Sequence, residues 1–411
     1  MQITTVGIIG AGHAGLAMSR ALSRKSIEHI VIDRGTPGQA WRTQRWDSLK
    51  MLTPNWANSL PGMPYKGDAP DGFMTASAFA SQLEHYANHI AAPVQTQCRV
   101  ERVRFLSDRY FVETSKGPIV CEALVIATGA ASRAHIPAFA DLLPDRVTQI
   151  TPDRYKSPAD LPNGDVLVVG ASATGVQLAR ELQLSGRQVT LSAGNHVRLP
   201  RQYRGRDIEY WLDRCGVYDE RAEDIPEISR ARLVPSPQLI GDADVDLNAL
   251  QRIGVDIVGR LSAVRDGKAL FSGGLSNVIT SADLKMHRLL DRIDTFIDHS
   301  NTFHTDREPD RPDRTVSPES PSLSCTLTGG RISSVVWATG FRPDHSWLDI
   351  PVFDRRGLLR HTGGICPVPG LFVLGLPILR RRRSQHISGA GPDSRALSQH
   401  LLKHLDMRRA A

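Results

Sequence analysis

Val6-Gly7-Ile8-Ile9-Gly10-Ala11-Gly12-His13-Ala14-Gly15 is the stretch of sequence that decides the fold. A β-branched run leads directly into glycines with the spacing G-x-G-x-x-G. Apolar residues then recur with helical spacing from Ala14 to Leu22, and a second strand, His29–Ile32, ends at Asp33. Strand, glycine-rich turn, helix, strand and acid in this order predict a Rossmann-like unit at the start of the chain.

Each position of that pattern has a physical role. Gly10 permits the tight turn, Gly12 lets the backbone approach a pyrophosphate, and Gly15 lets the helix pack closely on the strand. The helix N-terminus offers free N–H groups and a positive dipole to phosphates. Asp33 is placed to accept hydrogen bonds from a ribose diol. The first unit therefore predicts a dinucleotide site for a cofactor with an unmodified ribose.

The same pattern returns in the middle of the chain. Val166–Val169 leads into Gly170-Ala171-Ser172-Ala173-Thr174-Gly175, and the next strand ends at Ser192 instead of an acid. A hydroxyl can hydrogen-bond a 2′-phosphate that a carboxylate would repel. Three arginines follow within reach and can pair with such a phosphate, with a solvated surface loop as their alternative role: Arg198, Arg201 and Arg204. The second unit favours NADPH, and NADH is the alternative.

Two further strands flank the second unit, and both run into Ala-Thr-Gly, at Thr128-Gly129 and at Thr339-Gly340. This symmetry predicts an α/β protein with two Rossmann-like dinucleotide-binding domains, the NAD(P)-binding domain being inserted into the FAD-binding domain. The expected bounds are 1–160 for the first part of the FAD-binding domain, 161–330 for the inserted domain and 331–411 for the C-terminal return.

Composition limits the remaining classes of function. The 411 residues are 41% hydrophobic and 23% charged, and no apolar run is long enough for a membrane span. A net charge of +7 is spread along the chain, and no nucleic-acid-binding module is recognised. The five cysteines contain no Cys-x-x-Cys pair, so neither a metal site nor a redox-active dithiol is indicated. We expect a cytoplasmic enzyme, whose oligomeric state the sequence leaves open.

Several segments carry a narrower resemblance. Gly38-Gln39-Ala40-Trp41, Arg45-Trp46-Asp47-Ser48-Leu49, Leu52-Thr53-Pro54 and Ala338-Thr339-Gly340-Phe341-Arg342 resemble motifs of the class B flavin-dependent monooxygenases. That family includes flavin-containing, Baeyer–Villiger and YUCCA-like monooxygenases. The resemblance implies FAD, NADPH, O₂ and a small-molecule substrate, with one oxygen atom transferred through a C4a-(hydro)peroxyflavin. Such chemistry needs a dry pocket more than a catalytic side chain, and no catalytic residue is assigned.

One departure from the family keeps two other functions open. The family's aromatic–Gly–x3–His signature should fall near residues 139–155, where Thr151 stands close to the expected histidine. A flavin-dependent NAD(P)H oxidase or reductase without oxygen insertion is therefore the alternative, and a non-catalytic dinucleotide-binding sensor is the third. The four arginines Arg380–Arg383 are expected to face solvent in part, with one or two meeting phosphates or an anionic substrate.

These patterns together predict two sets of cofactor contacts. The first set belongs to FAD and comprises Gly10, Gly12, Gly15, Asp33, Arg34, Gln39, Trp41, Arg42, Trp46, Thr53, Thr128, Gly129, Gly340 and Gly391. The second set belongs to the nicotinamide cofactor and comprises Gly170, Ser172, Thr174, Gly175, Ser192, Arg198 and Arg201.

Overall fold

The computed structural model describes residues 1–241, 243, 245–300 and 307–410. Its strands are β1 (Gln2–Ile9), β2 (His29–Ile32), β3 (Val94–Gln95), β4 (Val100–Leu106), β5 (Arg109–Thr114), β6 (Ile119–Ile126), β7 (Arg133–Ala134), β8 (Thr148–Ile150), β9 (Asp165–Val169), β10 (Val189–Ser192), β11 (Val197–Arg198), β12 (Gln202–Tyr203), β13 (Arg206–Asp207), β14 (Pro237–Gln238), β15 (Asp256–Val258), β16 (Leu261–Arg265), β17 (Lys268–Phe271), β18 (Ser324–Thr326), β19 (Ile332–Trp337), β20 (Phe341–Arg342) and β21 (Leu371–Val373).

The α-helices are α1 (His13–Ser23), α2 (Gln39–Thr43), α3 (Ala76–His89), α4 (Ala173–Leu184), α5 (Ile208–Arg214), α6 (Ile228–Ala231), α7 (Leu247–Arg252), α8 (Leu275–Asp298) and α9 (Ile387–Ala410). Short 3₁₀ turns lie at Asn55–Asn58, Ala138–Leu142, Pro158–Asp160, Ala222–Asp224 and Arg382–Gln385. None of the described helices has the length and apolar composition that crossing a bilayer requires.

The first sheet is built around β1. It has the order β3-β2-β1-β6-β5-β4, with β3, β2, β1 and β6 parallel. The amino-terminal half of β6 pairs antiparallel with β5, and its carboxyl-terminal half pairs parallel with β21. The carboxyl ends of β1, β2, β6 and β21 therefore lie at one edge, where open parallel sheets bind their ligands.

The second sheet is entirely parallel, in the order β15-β10-β9-β19-β8. Its strands lie in the chain between β6 and β21, so the second unit is inserted into the first and the predicted fold class is confirmed. The sheet reaches beyond the predicted 161–330 range at both ends, because β8 and β19 pair with each other outside it. Sheet membership thus places the second unit at Thr148–Trp337, between the two Ala-Thr-Gly crossings.

The two crossings pair with each other. Beyond Gly129, β7 forms a two-stranded antiparallel sheet with β20, which follows Gly340. The His135 amide donates to the Gly340 carbonyl at 2.9 Å, and the Thr339 hydroxyl donates to the His135 carbonyl. Gly129 and Gly340 have φ of +75° and +87°, which an L side chain rarely adopts. Both connections between the units therefore run through one short sheet.

Each unit has its own hydrophobic core, and the second sheet has one on each face. Val166 and Val168 of β9 face the core under α4, whereas Leu167 and Val169 face the core under β16 and β17, as the period of two in a strand requires. Trp46 comes from the first unit, yet it is buried in the core under α4. The junction between the units is therefore partly a packed apolar contact.

Candidate dinucleotide sites

The glycine turn of the first unit leaves a space at the N-terminus of α1. A Cβ at Gly10 would lie 2.6 Å from the Ala127 carbonyl oxygen, and one at Gly15 would overlap the Gly10 carbonyl. In contrast, a Cβ at Gly12 meets no described atom within 4 Å. Gly12 is the N-cap of α1 in an extended conformation, so the first free N–H groups of the helix face this space.

The Asp33 carboxylate supports the same turn. It lies at the carboxyl end of β2 and accepts from the Ala11 amide at 2.7 Å and from the Gly35 amide at 2.8 Å. Arg34 beside it is exposed, and the Gln39 side-chain oxygen accepts from the Thr36 amide at 2.9 Å. Asp33 is half-buried at the sheet edge where a ribose would lie, and Gln39 fixes the loop that follows it.

Three buried polar atoms on or next to α1 and on α9, which packs against α1, have no hydrogen-bond partner among the described residues. They are His13 Nε2 at the start of α1, Thr128 Oγ1 after β6 and Asp393 Oδ2 on α9. Burial lowers the pKa of the His13 imidazole to about 4, and burial raises the pKa of the Asp393 carboxyl. An unpaired buried polar group is costly, so the atoms of His13 and Thr128 beside this turn, with Asp393 on the helix that packs on α1, indicate a ligand that hydrogen-bonds.

These residues fit the flavin dinucleotide that the sequence predicts. The helix N-terminus and the open space at Gly12 suit a pyrophosphate, Asp33 suits a ribose, and the three unpaired atoms can supply further hydrogen bonds. His13 and Asp393 were missed by the sequence predictions. His13 stands inside the glycine motif, and Asp393 follows the glycines of Gly389-Ala390-Gly391, so position relative to the glycines was the available signal.

The other predicted residues of the first set are distributed around the junction. Trp41 packs against the cores of both units, edge-on to Phe79 at 5.0 Å between ring centroids. The Arg42 guanidinium pairs with Glu84 at 2.8 Å on the exposed face of α3. Trp46 was predicted as a cofactor contact, but it is buried in the second unit's core because the chain around it docks there.

Thr53 and Gly391 are two further residues of the first set, and both have contacts within the protein. The Thr53 hydroxyl donates to the Asn58 side-chain oxygen at 2.6 Å, in the turn that leads into a 3₁₀ helix. Gly391 lies in α9, where a Cβ would be 3.1 Å from the Pro61 ring. Gly391 therefore serves the packing of α9 against that same segment of the first unit.

The second glycine turn repeats the geometry of the first. A Cβ at Gly170 would overlap the Ala338 carbonyl, and one at Gly175 would overlap the Gly170 carbonyl. Ser172 is the N-cap of α4 with φ −80° and ψ 178°, close to the values at Gly12, and its hydroxyl donates to the Ser236 carbonyl at 2.9 Å. Thr174 is half-buried in the first turn of α4. This turn therefore also presents a helix N-terminus to a phosphate.

The predicted phosphate contacts of the second unit are the main correction. Arg198 is 4% exposed, donating to Asp246 at 2.7 Å and to Asp283 at 2.9 Å. Arg201 is 3% exposed and pairs with Asp207 at 2.6 Å. Both guanidinium groups are neutralised inside the protein, Arg198 by acids 85 and 48 residues away and Arg201 by Asp207 in the same segment of the chain.

Arg204 and Ser192 are corrected in the same way. Arg204 pairs with Asp294 of α8 at 2.9 Å. The Ser192 side chain is 1% exposed, and its hydroxyl donates to the Gly259 carbonyl at 3.0 Å while accepting from the Leu261 amide at 2.8 Å. Its hydrogen-bonding capacity is thereby used within the fold.

Arg380–Arg383 form a contact between the two units. The ion-pair partners of the last three lie in α5 or just after it in the second unit: Arg381 with Asp219, Arg382 with Glu220, and Arg383 with Asp213 and Asp219. The Arg380 guanidinium donates to the Gly363 carbonyl of the first unit at 2.8 Å. Backbone bonds run alongside, from the Ala222 amide to the Arg380 carbonyl and from the Arg383 amide to the Tyr218 carbonyl. The run therefore joins the units, in place of the predicted contact with phosphates.

Next to this contact lies a buried acid that no sequence pattern indicated. Glu209 of α5 is 5% exposed and accepts from the Tyr218 hydroxyl, and the Tyr218 ring packs edge-on to His386 of the first unit at 4.9 Å. Burial raises the pKa of the Glu209 carboxyl from 4.5 to about 7. The folded protein therefore holds this proton more tightly than the unfolded chain does.

Glu209→Gln is expected to remove a pH dependence of stability. Because the folded pKa is the higher one, the contribution of Glu209 is complete below about pH 4.5 and is lost as pH rises through about 7. Wild type should lose up to about 3 kcal/mol of unfolding free energy relative to the variant over that window. Denaturant titrations at several pH values measure this. Glu101→Gln, an exposed site, is the control, and parallel pH profiles of wild type and Glu209→Gln would contradict the assignment.

Sequence comparison agrees with the arrangement of the two turns. The profile of the family named pyridine nucleotide-disulphide oxidoreductase matches residues 7–216. A CzcO-like oxidoreductase of Geobacillus kaustophilus is 31% identical over 410 residues, covering 98% of this chain and 99% of that protein. The probable indole-3-pyruvate monooxygenase YUCCA4 of Arabidopsis thaliana is 29% identical over 203 residues, covering 48% of this chain and 49% of that protein.

Solved structures extend the likeness over the whole fold. The flavin-containing monooxygenase from Stenotrophomonas maltophilia superposes with a TM-score of 0.70 at 18% identity, and the superposition covers 98% of this chain and 100% of that chain. OTEMO, in a complex with FAD and NADP, superposes with a TM-score of 0.57 at 15% identity, covering 99% of this chain and 86% of that chain. With the fold of flavin-dependent monooxygenases, the chain belongs to the pyridine nucleotide-disulphide oxidoreductase family.

Proposed function

We propose that this protein is an FAD-dependent monooxygenase that uses NADPH and O₂ to insert one oxygen atom into a small organic substrate. The observation that carries the proposal is the pair of glycine turns, each leading into a helix N-terminus, the first with an open space at Gly12 and unpaired buried polar atoms beside it. The OTEMO structure with FAD and NADP and the YUCCA4 relative support the cofactors and the type of reaction.

The cysteines argue against the dithiol chemistry in the family's name. All five are free; Cys98, Cys121 and Cys366 are buried, and Cys215 and Cys325 are half-buried. Burial raises the pKa of the Cys121 thiol to about 12 and that of the Cys215 thiol to about 11, which keeps these groups as unreactive thiols near neutral pH. Electrons from a nicotinamide cofactor would therefore leave through the flavin to an acceptor such as O₂.

In the proposed reaction, the residues of this chain bind and orient the two dinucleotides. The N-terminus of α1, Asp33 and the Thr128 hydroxyl would hold FAD, and the N-terminus of α4 with Thr174 would hold the pyrophosphate of NADPH. Bound FAD supplies hydride acceptance and oxygen activation. The balanced reaction consumes one NADPH, one proton and one O₂ for each substrate oxidised, and gives NADP⁺ and water with the oxygenated product.

Exclusion of water is the second task of the protein. Trp41 lies between the cores of both units with its ring under the Arg45 guanidinium, 4.9 Å from the ring centroid. Burial lowers the pKa of Arg45. A bulky aromatic covered in this way at the junction can keep solvent from a reacting centre held between the two turns.

Coupled measurements of NADPH oxidation, O₂ uptake and H₂O₂ release test the proposal. Purified protein should be yellow, NADPH should bleach it anaerobically, and a panel of amines, sulfides and ketones should contain compounds that lower H₂O₂ release while an oxygenated product accumulates. Rapid mixing of reduced protein with O₂ should show a long-lived absorbance band. Stoichiometric H₂O₂ with every compound and no such band would favour a flavin oxidase or reductase. Failure of NAD(P)H to reduce bound flavin would favour a sensor.

A further inference from the structure

We infer that Arg260 is the residue that recognises the 2′-phosphate of NADPH, and that Ser192 positions it. The inference rests on the proposed use of a nicotinamide dinucleotide by the second unit. It replaces the arginines expected from the sequence, whose guanidinium groups are bound inside the protein.

Arg260 stands at the correct edge of the second sheet. β10 and β15 are parallel neighbours that end in register at Ser192 and Val258, and Arg260 follows two residues later. The glycine turn at Gly170 also begins at this edge, with its amide bonded to the Ser192 carbonyl at 2.9 Å. In a Rossmann-like unit the adenosine ribose lies over the end of the second strand, here β10, so its 2′-position faces this corner.

The loop that carries Arg260 is held rigidly by Ser192. The Ser192 hydroxyl donates to the carbonyl of Gly259, and it accepts from the amide of Leu261, so it bonds the residues on both sides of Arg260. The Arg260 carbonyl accepts from the Ser272 amide at 2.9 Å, and a Cβ at Gly259 would overlap the Ser272 carbonyl. Ser192 stands where the first unit has Asp33, and through these bonds it positions Arg260.

The Arg260 side chain is directed to the turn after β10. Its Cγ and Cδ lie 3.7 and 3.8 Å from the position of a Cβ at Gly194, and Gly194 has no side chain to block the corner. Arg260 is exposed, and within the described parts of the chain no ion pair or hydrogen bond engages its guanidinium group. Asp256, the acid on the same strand, lies at the opposite end of β15 beside Gln188.

An arginine at this corner matches a phosphate monoester. Its planar group donates two parallel hydrogen bonds to phosphate oxygens, and its charge is permanent. NAD⁺ presents only a hydroxyl there and gains little from the cation. The difference between the two cofactors should therefore depend on Arg260, whereas the pyrophosphate contacts at α4 serve both.

Calorimetric titration of the flavin-loaded protein with NADP⁺ and with NAD⁺ tests the inference. Arg260→Ala should raise the dissociation constant of NADP⁺ by about 10- to 100-fold, the range expected for one charge-assisted contact, and leave that of NAD⁺ within about twofold. Ser192→Ala should change the NADP⁺/NAD⁺ ratio in the same direction by a smaller factor. Arg252→Ala, at an exposed arginine in the same unit, should change neither constant.

The outcomes separate the inference from the proposed function. Wild type that binds neither dinucleotide contradicts both. Wild type that prefers NADP⁺, with unchanged ratios in Arg260→Ala, overturns the role of Arg260 and leaves the proposed function standing. A wild-type preference for NAD⁺ also overturns it. Circular dichroism of each variant verifies that the fold is retained, so that a change of ratio reports recognition.

Discussion

Gly12→Val is expected to give a folded but colourless protein, with flavin affinity reduced about 100-fold or more. Gly12 has φ −77° and ψ −177°, an extended conformation that valine adopts without strain, and no described atom lies within 4 Å of its Cβ position. A valine side chain therefore fits the protein, but it occupies the space that the pyrophosphate needs. Visible flavin absorbance per chain measures the loss, and circular dichroism measures the fold.

Ser172→Val is the matched control at the second turn. It occupies the same N-cap position, with φ −80° and ψ 178°. This variant should remain yellow, but NADPH should reduce its flavin much more slowly at the same concentration. If Gly12→Val retained flavin, or Ser172→Val lost it, the assignment of cofactors to the two turns would be wrong.

Gly15→Ala distinguishes a glycine needed for helix packing from Gly12, where a Cβ meets no described protein atom within 4 Å. Its Cβ would overlap the Gly10 carbonyl, so α1 must move away from β1 before any cofactor binds. The close packing at Gly15 was predictable from the sequence pattern alone, since it follows from backbone geometry within one local unit. The same locality explains why the two-domain α/β fold was predictable from the strands and turns.

Side-chain partners were less predictable, because they depend on residues distant in sequence. Ser192 was expected at a phosphate, but its hydroxyl is bonded to a loop 67 and 69 residues further along the chain. Trp46 was expected at the flavin, but the first unit inserts it into the second unit's core. Neither partner carries a local signal. The insertion of the second unit was predictable from the sequence. The loops that the insertion brings together were not.

Arg198 gives the clearest case, because a phosphate ligand and a buried counter-ion of two acids would respond differently to substitution. Its guanidinium donates to Asp246, 48 residues away, and to Asp283, 85 residues away. Asp246 also caps α7 by accepting from the Ala249 amide, and Asp283 accepts from the Thr315 amide at 2.7 Å. The arginine is thus the shared cation of two acids that hold α7 and the segment at Thr315 in place.

Arg198→Ala is therefore expected to lower the unfolding free energy by about 3–5 kcal/mol, because two largely buried carboxylates lose their counter-ion. Denaturant titration measures the loss, with Arg252→Ala as an exposed control that should remain near wild type. Folded Arg198→Ala, at a temperature below its transition, should bind NADP⁺ with nearly the wild-type constant. An unchanged unfolding midpoint with tenfold weaker NADP⁺ binding would instead make Arg198 the phosphate ligand, and would remove the reason for assigning that role to Arg260.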